Sequence, residues 1–247
     1  MIKIARESEV RPAFANGLSR CPVLAGEYAQ VTFERCALRA GASWSPERFA
    51  LEDRQQVFLF TRGTGYITTP NRAFNITEVC VFVPKFDAEA FSIHAAADSP
   101  VGLEFLRIQA RMSEYDITCM HESRMTLPRF RRLSEAWSYE EEFKTPGIRS
   151  VMLLEHRNLG RLSMGAVLGI GPACVGEHVH QELQQWYCVL PGANLTFTSG
   201  ETEIHLGEGD LSYTRRGLPH GSKAAPGERF DYIWFELCEN GYPGEIK

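Results

Sequence analysis

The stretch GEHVHQELQQWYCVLPG, residues 176–192, and its companion GEGDLSYTRRGLPHGSKA, residues 207–224, decide how this chain is read. Between them they carry His178, His180, Gln185 and His220. Side chains alternate faces along a β-strand, so His178 and His180 point one way and Val179 the other. By the same rule Gln185 shares a face with Tyr187 and Val189, while Trp186 and Cys188 face the opposite side. A small barrel built from such strands would aim three imidazoles and one amide oxygen at one point. Imidazole suits Zn, Mn, Ni and Fe, and an amide oxygen is a weaker, neutral donor. One divalent transition metal (Zn, Mn, Ni or Fe) held by His178, His180, Gln185 and His220 is therefore expected. Residue type alone does not fix which metal.

Moving outward, the chain repeats itself. Shifted by 129 residues, LEDRQQVFLFTRG (51–63) lies over HQELQQWYCVLPG (180–192), with Gln55-Gln56 on Gln184-Gln185 and Gly63 on Gly192. Two extra residues then change the shift to 131, and FVPKFDAE (82–89) lies over YTRRGLPH (213–220). A repeat of this length signals a duplicated domain and not a solenoid. In the first copy the ligand positions hold Phe49, Leu51 and Glu89 where the second has His178, His180 and His220, and only Gln56 survives. That copy is expected to be structural, with Phe58 and Phe60 filling an apolar interior.

Both copies read as strands. VFLF, GYITT, VCVFV and GLEFLRIQ in the first, and SMGAVLGI, WYCVL, ANLTFT, ETEIHL, DLSYT and FDYIWFEL in the second, are short, aromatic or β-branched, and punctuated by turn residues. Such a pattern predicts an all-β sandwich or barrel. The intervening stretch is more charged and contains SEAWSYEEEFK (134–144), a candidate short helix with Ser134 near its start, before a Thr145-Pro146-Gly147 turn signal. The reading divides the chain into a first barrel at 1–111, a linker at 112–148 and a second barrel at 149–247.

The bulk composition narrows the function. A chain of 247 residues is long enough for two small domains with sizeable cores. A net charge of −5, without a Lys/Arg-rich run, argues against nucleic acid as a partner. No apolar run approaches the ~20 residues of a membrane span, and the charged start MIKIARESEVRP is unlike a signal peptide. Seven cysteines without a CxxC pair read as reduced thiols. A cytoplasmic protein acting on a small molecule is expected. His94, His121, His156 and His205 have no partners in the motif and read as ordinary residues.

The residues and spacing of the second copy resemble the cupin superfamily. Its first motif, G(x)5HxH(x)3–4E(x)6G, is met by His178, His180, Gln185 and Gly192, with Gln in place of Glu and the leading Gly171 displaced by one residue. Its second, G(x)5PxG(x)2H(x)3N, falls on Gly209, Arg215, Gly217, His220 and Ala224, so that Gly, Gly and His match while Pro and Asn do not. The resemblance implies two tandem double-stranded β-helix (jelly-roll) barrels, a bicupin, with the metal site kept in the C-terminal one. Exposed edge strands of such barrels often pair, which would make a homo-oligomer.

The Gln for Glu exchange bears on chemistry. A neutral ligand set leaves a divalent ion its full charge, favouring Lewis-acid work on a carbonyl group. A metal-dependent enzyme acting on a small carbonyl-containing metabolite, of isomerase, cyclase, lyase or hydrolase type, is the leading expectation. Tyr187, on the ligand face, is the candidate catalytic base, and Trp234, Glu236 and Arg161 are candidates for the mouth. Some single-barrel polyketide cyclases are similar in using three His and a Gln. Ureidoglycine aminohydrolase is similar in architecture, but it has an acidic residue at the position of His178 and a His at that of Gln185. Two alternatives stay open: an iron-dependent cupin dioxygenase, and a non-catalytic bicupin that binds a small molecule.

Overall fold

The computed structural model describes residues 2–123 and 125–242. It is built almost wholly of antiparallel strands, which form four sheets in two compact units. No helix among the described residues is long and apolar enough to cross a membrane. All seven cysteines are free.

The first barrel comprises Val10–Ile117 and Thr126–Glu135. Its six-stranded sheet runs Arg129–Arg132, Cys80–Val83, Arg54–Gly63, Leu103–Arg111, Val31–Leu38, Leu18–Val23. A four-stranded sheet runs Ser43–Trp44, Ser92–Ala95, Gly65–Thr68, Ala73–Ile76. Neighbours distant in sequence, such as Arg54–Gly63 beside Leu103–Arg111, make the crossing connections of a jelly roll. The two inner faces meet in an aromatic core of Phe58, Phe60, Phe82, Phe91 and Phe105 with Ile67 and Ile93. This is the apolar filling expected of the first copy.

One polar group inside this barrel was not foreseen. Arg107 is fully buried on the strand opposite Glu34. Its Nε and Nη2 donate to Gln56 Oε1 at 2.9 and 2.7 Å. Its Nη1 donates to Glu34 Oε2 at 3.0 Å, and Nη2 lies 3.0 Å from Glu47 Oε1. The rings of Trp44 and Phe49 flank the guanidinium at 5.4 and 5.9 Å. Gln56, the one ligand-type residue left in this copy, therefore has its amide oxygen occupied by an internal cation. Its neighbour Phe49 serves as a wall for that cation.

The second barrel gathers the chain up to Glu9, Thr118–Met125 and everything from Ala136 on. Its seven-stranded sheet runs Lys3–Ala5, Leu211–Thr214, Leu183–Val189, Tyr232–Cys238, Leu162–Leu168, Arg149–Leu159, Trp137–Tyr139. The facing sheet runs Ala173–His178, His220–Ala224, Asn194–Ser199, Thr202–Gly207. Val175, Tyr187, Val189, Leu195, Phe197, Tyr232 and Trp234 fill the space between them. Trp186 lies on the other face, stacked on Tyr213, as strand alternation requires. Gly192, Gly209 and Gly217 all take left-handed φ of 75°, 78° and 76°. That conformation is why glycine punctuates both motifs.

Several short pieces lie differently from the sequence reading. Lys3–Ala5 pairs with Leu211–Tyr213 and so belongs to the second barrel, where Arg6 Nη1 donates to Asp210 Oδ2 at 2.6 Å. Within 112–148, Arg129–Arg132 extends the first barrel and Trp137–Tyr139 the second, each as an edge strand. The helix expected over SEAWSYEEEFK is instead a 3-10 turn at Leu133–Glu135 followed by that strand. The α-helix stands at Glu114–Ser123, where Ser113 and Asp116 form a reciprocal cap: Asp116 N donates to Ser113 Oγ at 3.3 Å and Ser113 N to Asp116 Oδ2 at 2.9 Å. Three- and four-residue strands are too short for a period-two signal, and pairing partners decide them.

Removing the Arg107 cation should leave Gln56 Oε1 without its donors, while Glu34 and Glu47 keep only Arg20 as a charge partner among the described residues. Arg107→Met is expected to destabilise the protein by about 3 kcal/mol, at the low end of a broken buried ion pair because Glu34 and Glu47 are partly exposed. Urea unfolding would read this as a lower midpoint, with metal content unchanged. A stability equal to that of the unaltered chain would show that the cation is dispensable.

Candidate metal centre

The strand ladder sets the site. Ala173–His178 pairs with His220–Ala224, and past an irregularity between Val175 and His178 it brings His178 directly opposite His220. His180 follows two residues later, just beyond the strand end. The three rings form a triangle with centroids 4.8 Å (His178–His180), 4.5 Å (His178–His220) and 5.4 Å (His180–His220) apart. One nitrogen from each lies within 4.8 Å of the others. Phe143 stacks on His178 at 4.4 Å.

Hydrogen bonds fix the tautomers. His178 Nδ1 is 2.8 Å from Gly176 O, and His220 Nδ1 is 3.0 Å from Leu218 O. A carbonyl oxygen only accepts, so each Nδ1 carries the proton and donates. In the neutral ring, Nε2 is then left with its lone pair free to bind a Lewis acid, the arrangement usual for metal-binding histidines. His220 Nε2 is buried without a hydrogen-bond partner. Burial, aided by the neighbouring His178 and His180 and opposed by the Leu218 carbonyl, pushes His220 down to about 4. Burial likewise lowers His180. Both imidazoles are neutral at pH 7, as a metal ligand must be.

Gln185 enters from the other sheet. It is 6% exposed, and its Nε2 donates to Glu236 Oε2 at 3.4 Å, a residue directly across the ladder. Its Oε1 is buried and has no partner. A buried imidazole nitrogen and a buried amide oxygen, both unpartnered and both donors of electron pairs, are what a cation would satisfy. The residues present therefore fit a divalent ion.

His178, His180 and Gln185 line a cavity of about 790 Å³ together with Tyr187. Tyr187 packs on Tyr232 at 4.7 Å and stands edge-on to His220 at 6.1 Å. Burial, with the nearby Tyr232 and Glu236, raises its hydroxyl well above the ordinary range. Tyr187 therefore holds its proton at neutral pH and is equipped to donate a hydrogen bond, whereas the sequence reading had it as a base. Trp234 and Glu236 line the cavity, and Arg161 is not among the lining residues. His205 is exposed, and His94 stacks on Tyr66 in the first barrel.

Three contributions escaped sequence reasoning. His156 lines the cavity and sets its Nε2 3.5 Å from Glu236 Oε1, so it is more than an ordinary surface residue. Tyr242 stacks on His156 and donates to Glu236 Oε1 at 2.8 Å. Tyr139, Glu141, Phe143 and Lys144, from the stretch assigned to a linker, form part of the wall. Lys144 Nζ is held by Ser150 Oγ at 2.6 Å and by Glu141, and burial lowers its pKa. A Lys and a Glu on a loop carry no periodicity, so no local signal marks them.

The His220 shift has a sign that can be checked. Its folded-state value of about 4 lies below the ordinary 6.5, so the unfolded chain binds the proton more readily between those limits. Metal-free protein should therefore lose stability as pH falls from 6.5 towards 4, by up to roughly 3 kcal/mol from this residue. His220→Gln should flatten that part of the profile in urea titrations. An unchanged slope would contradict the buried, neutral imidazole.

No family model matches the sequence, and no curated protein matches it either. Solved structures do match. A Pseudomonas aeruginosa protein described as glyoxylate-induced superposes with a TM-score of 0.77 at 9% identity, over 100% of this chain and 92% of the other. A cupin 2 conserved barrel domain protein from Leptotrichia buccalis gives 0.64 at 14% identity, over 95% and 96%. A variant of Bacillus subtilis oxalate decarboxylase gives 0.67 at 12% identity, over 97% and 78%. At such identities the likeness is one of fold. With two jelly rolls, an internal repeat and three histidines gathered in one of them, the chain has the cupin fold twice over and is a bicupin in architecture.

Proposed function

We propose that this protein is a metal-dependent enzyme that acts on a small carbonyl-containing metabolite, with a divalent ion held by His178, His180, Gln185 and His220. The observation that carries this reading is the pair of orphaned acceptors, His220 Nε2 and Gln185 Oε1, in a site whose His178 and His220 rings are already locked in the metal-binding tautomer. A bound divalent ion would supply Lewis-acid polarisation of a carbonyl oxygen. The chain's own groups would do the rest. Tyr187 offers a hydroxyl that keeps its proton. Tyr139, Phe143, Met152 and Trp234 give apolar wall that excludes water, and Lys144 adds a cation to it. A cavity of about 790 Å³ is in the range for a small metabolite. A fold neighbour named for decarboxylating oxalate, a small dicarboxylate, supports a substrate of that size and kind.

Elemental analysis of protein purified without added metal tests the reading. Near one equivalent of a divalent transition metal per chain is expected. His178→Ala and His220→Ala should fold, lose most of that metal, and lose turnover of small carbonyl acids by about a hundredfold or more. Gln185→Glu should keep the metal, since a carboxylate is the stronger donor, and alter the rate. Full metal content in both alanine variants would sink the ligand set.

A further inference from the structure

Glu236 is a heavily tethered side chain of the second barrel, and the ligand set does not account for it. It lies on the strand Tyr232–Cys238 between Ser163 on one neighbouring strand and Gln185 on the other, in register with both. Oε1 accepts from Ser163 Oγ at 3.0 Å and from Tyr242 OH at 2.8 Å, with His156 Nε2 3.5 Å away. Among the described residues, Oε2 accepts from Gln185 Nε2. One carboxylate oxygen is thus anchored by the protein and the other is turned to a single amide.

That amide has two ways to point. The imidazole lone pairs of a metal-free site are acceptors, and on their own they would attract the amide NH₂. An NH₂ facing them would block the site with donors. A carboxylate is the stronger acceptor because the bond is charge-assisted, and it can accept only. With Glu236 holding the NH₂, the amide oxygen must face away from the carboxylate. That oxygen is the atom left buried and unpartnered.

We propose that Glu236 is the positioning residue of the metal site: it fixes the orientation of the Gln185 amide so that Oε1, and not Nε2, is presented alongside the three histidines. This rests on the reading given under Proposed function and adds to it the group that makes a neutral glutamine serve where an acidic ligand would otherwise stand. The negative charge is not lost from the site. It stands one strand away, behind the ligand.

The test is a double-mutant cycle read as affinity for added Mn²⁺ and Zn²⁺ by chelator competition, on metal-stripped protein with thermal unfolding as the folding check. Glu236→Gln, nearly isosteric, should weaken metal binding by about 10–100-fold, the usual range for a group that orients a ligand. In a Gln185→Ala background the same change should alter affinity by less than about threefold, because it acts through the amide. Tyr242→Phe, which removes hydroxyl bonds to Glu236 Oε1 and Ser163 Oγ, should change affinity by less than about threefold in either background. A Glu236→Gln protein within threefold of the unaltered chain, or losses that multiply in the double variant, would overturn the proposal. A second readout needs no variant and no metal. In the unaltered metal-free protein, proton–proton contacts from the Gln185 side-chain NH₂ should reach the Glu236 side chain by NMR. Contacts to the His180 or His220 ring protons instead would also overturn it. If the NH₂ contacts Glu236 and yet the protein binds no metal, the positioning stands and the metal-enzyme reading falls.

Discussion

An amide oxygen buried inside a β-barrel needs a positive or donating partner, and the two halves of this chain meet that need differently. In the first barrel Gln56 Oε1 takes two bonds from Arg107, whose guanidinium is balanced by Glu34 and Glu47 and walled by Trp44 and Phe49. In the second barrel the corresponding Gln185 Oε1 has no hydrogen-bond partner among the described residues. The first barrel thus carries its own cation, and the second presents an opening for one. Much of the remaining side-chain placement follows: Phe49 is an aromatic wall where His178 is an imidazole, and Arg107 fills a polar interior that would otherwise need a ligand.

The electrostatics of the second barrel are set by a carboxylate that is near the histidines without belonging to their motif. Burial drives Glu236 upward, but hydrogen bonds from His156 and Tyr242, with the His156 and His180 rings nearby, outweigh it, and the group is held below the ordinary carboxylate range. It therefore stays ionised in a site whose other direct participants are neutral. A divalent ion among His178, His180, Gln185 and His220 would keep its full charge toward an incoming carbonyl, while the barrel as a whole would retain a compensating negative charge. Such a division differs from a site with a ligating glutamate, where the ion's own charge is reduced at the point of chemistry. It gives a physical reason for reading the glutamine as functional and not as decay.

The sequence made the architecture and the three histidines legible because both depend on local rules. Alternation along 183–189 places Gln185, Tyr187 and Val189 inward, and glycines with left-handed φ mark the turns at Gly192, Gly209 and Gly217. What stayed hidden lies where those rules fail. The strand Tyr232–Cys238 is buried along its whole length, so the facing of Glu236 could not be read from polarity. Arg107 sits in a strand buried nearly throughout, and a lone Arg there gives no sign of which carboxylates it will meet. The wall residues Tyr139 to Lys144 come from a segment whose charge suggested a linker and a helix. Its edge strand Trp137–Tyr139 exists because Met152–Ser150 offers a free ladder, and that is information from the partner strand.

The most direct test of this asymmetric account is anomalous X-ray diffraction from crystals of the protein as purified, recorded on both sides of the absorption edge of each candidate transition metal. The account predicts one anomalous peak per chain, within bonding distance of the His178, His180 and His220 imidazoles and of Gln185 Oε1, with no peak beside Gln56 and Arg107. A peak in the first barrel, a peak bound through Glu236 with Gln185 turned away, or no peak at the histidines would contradict it.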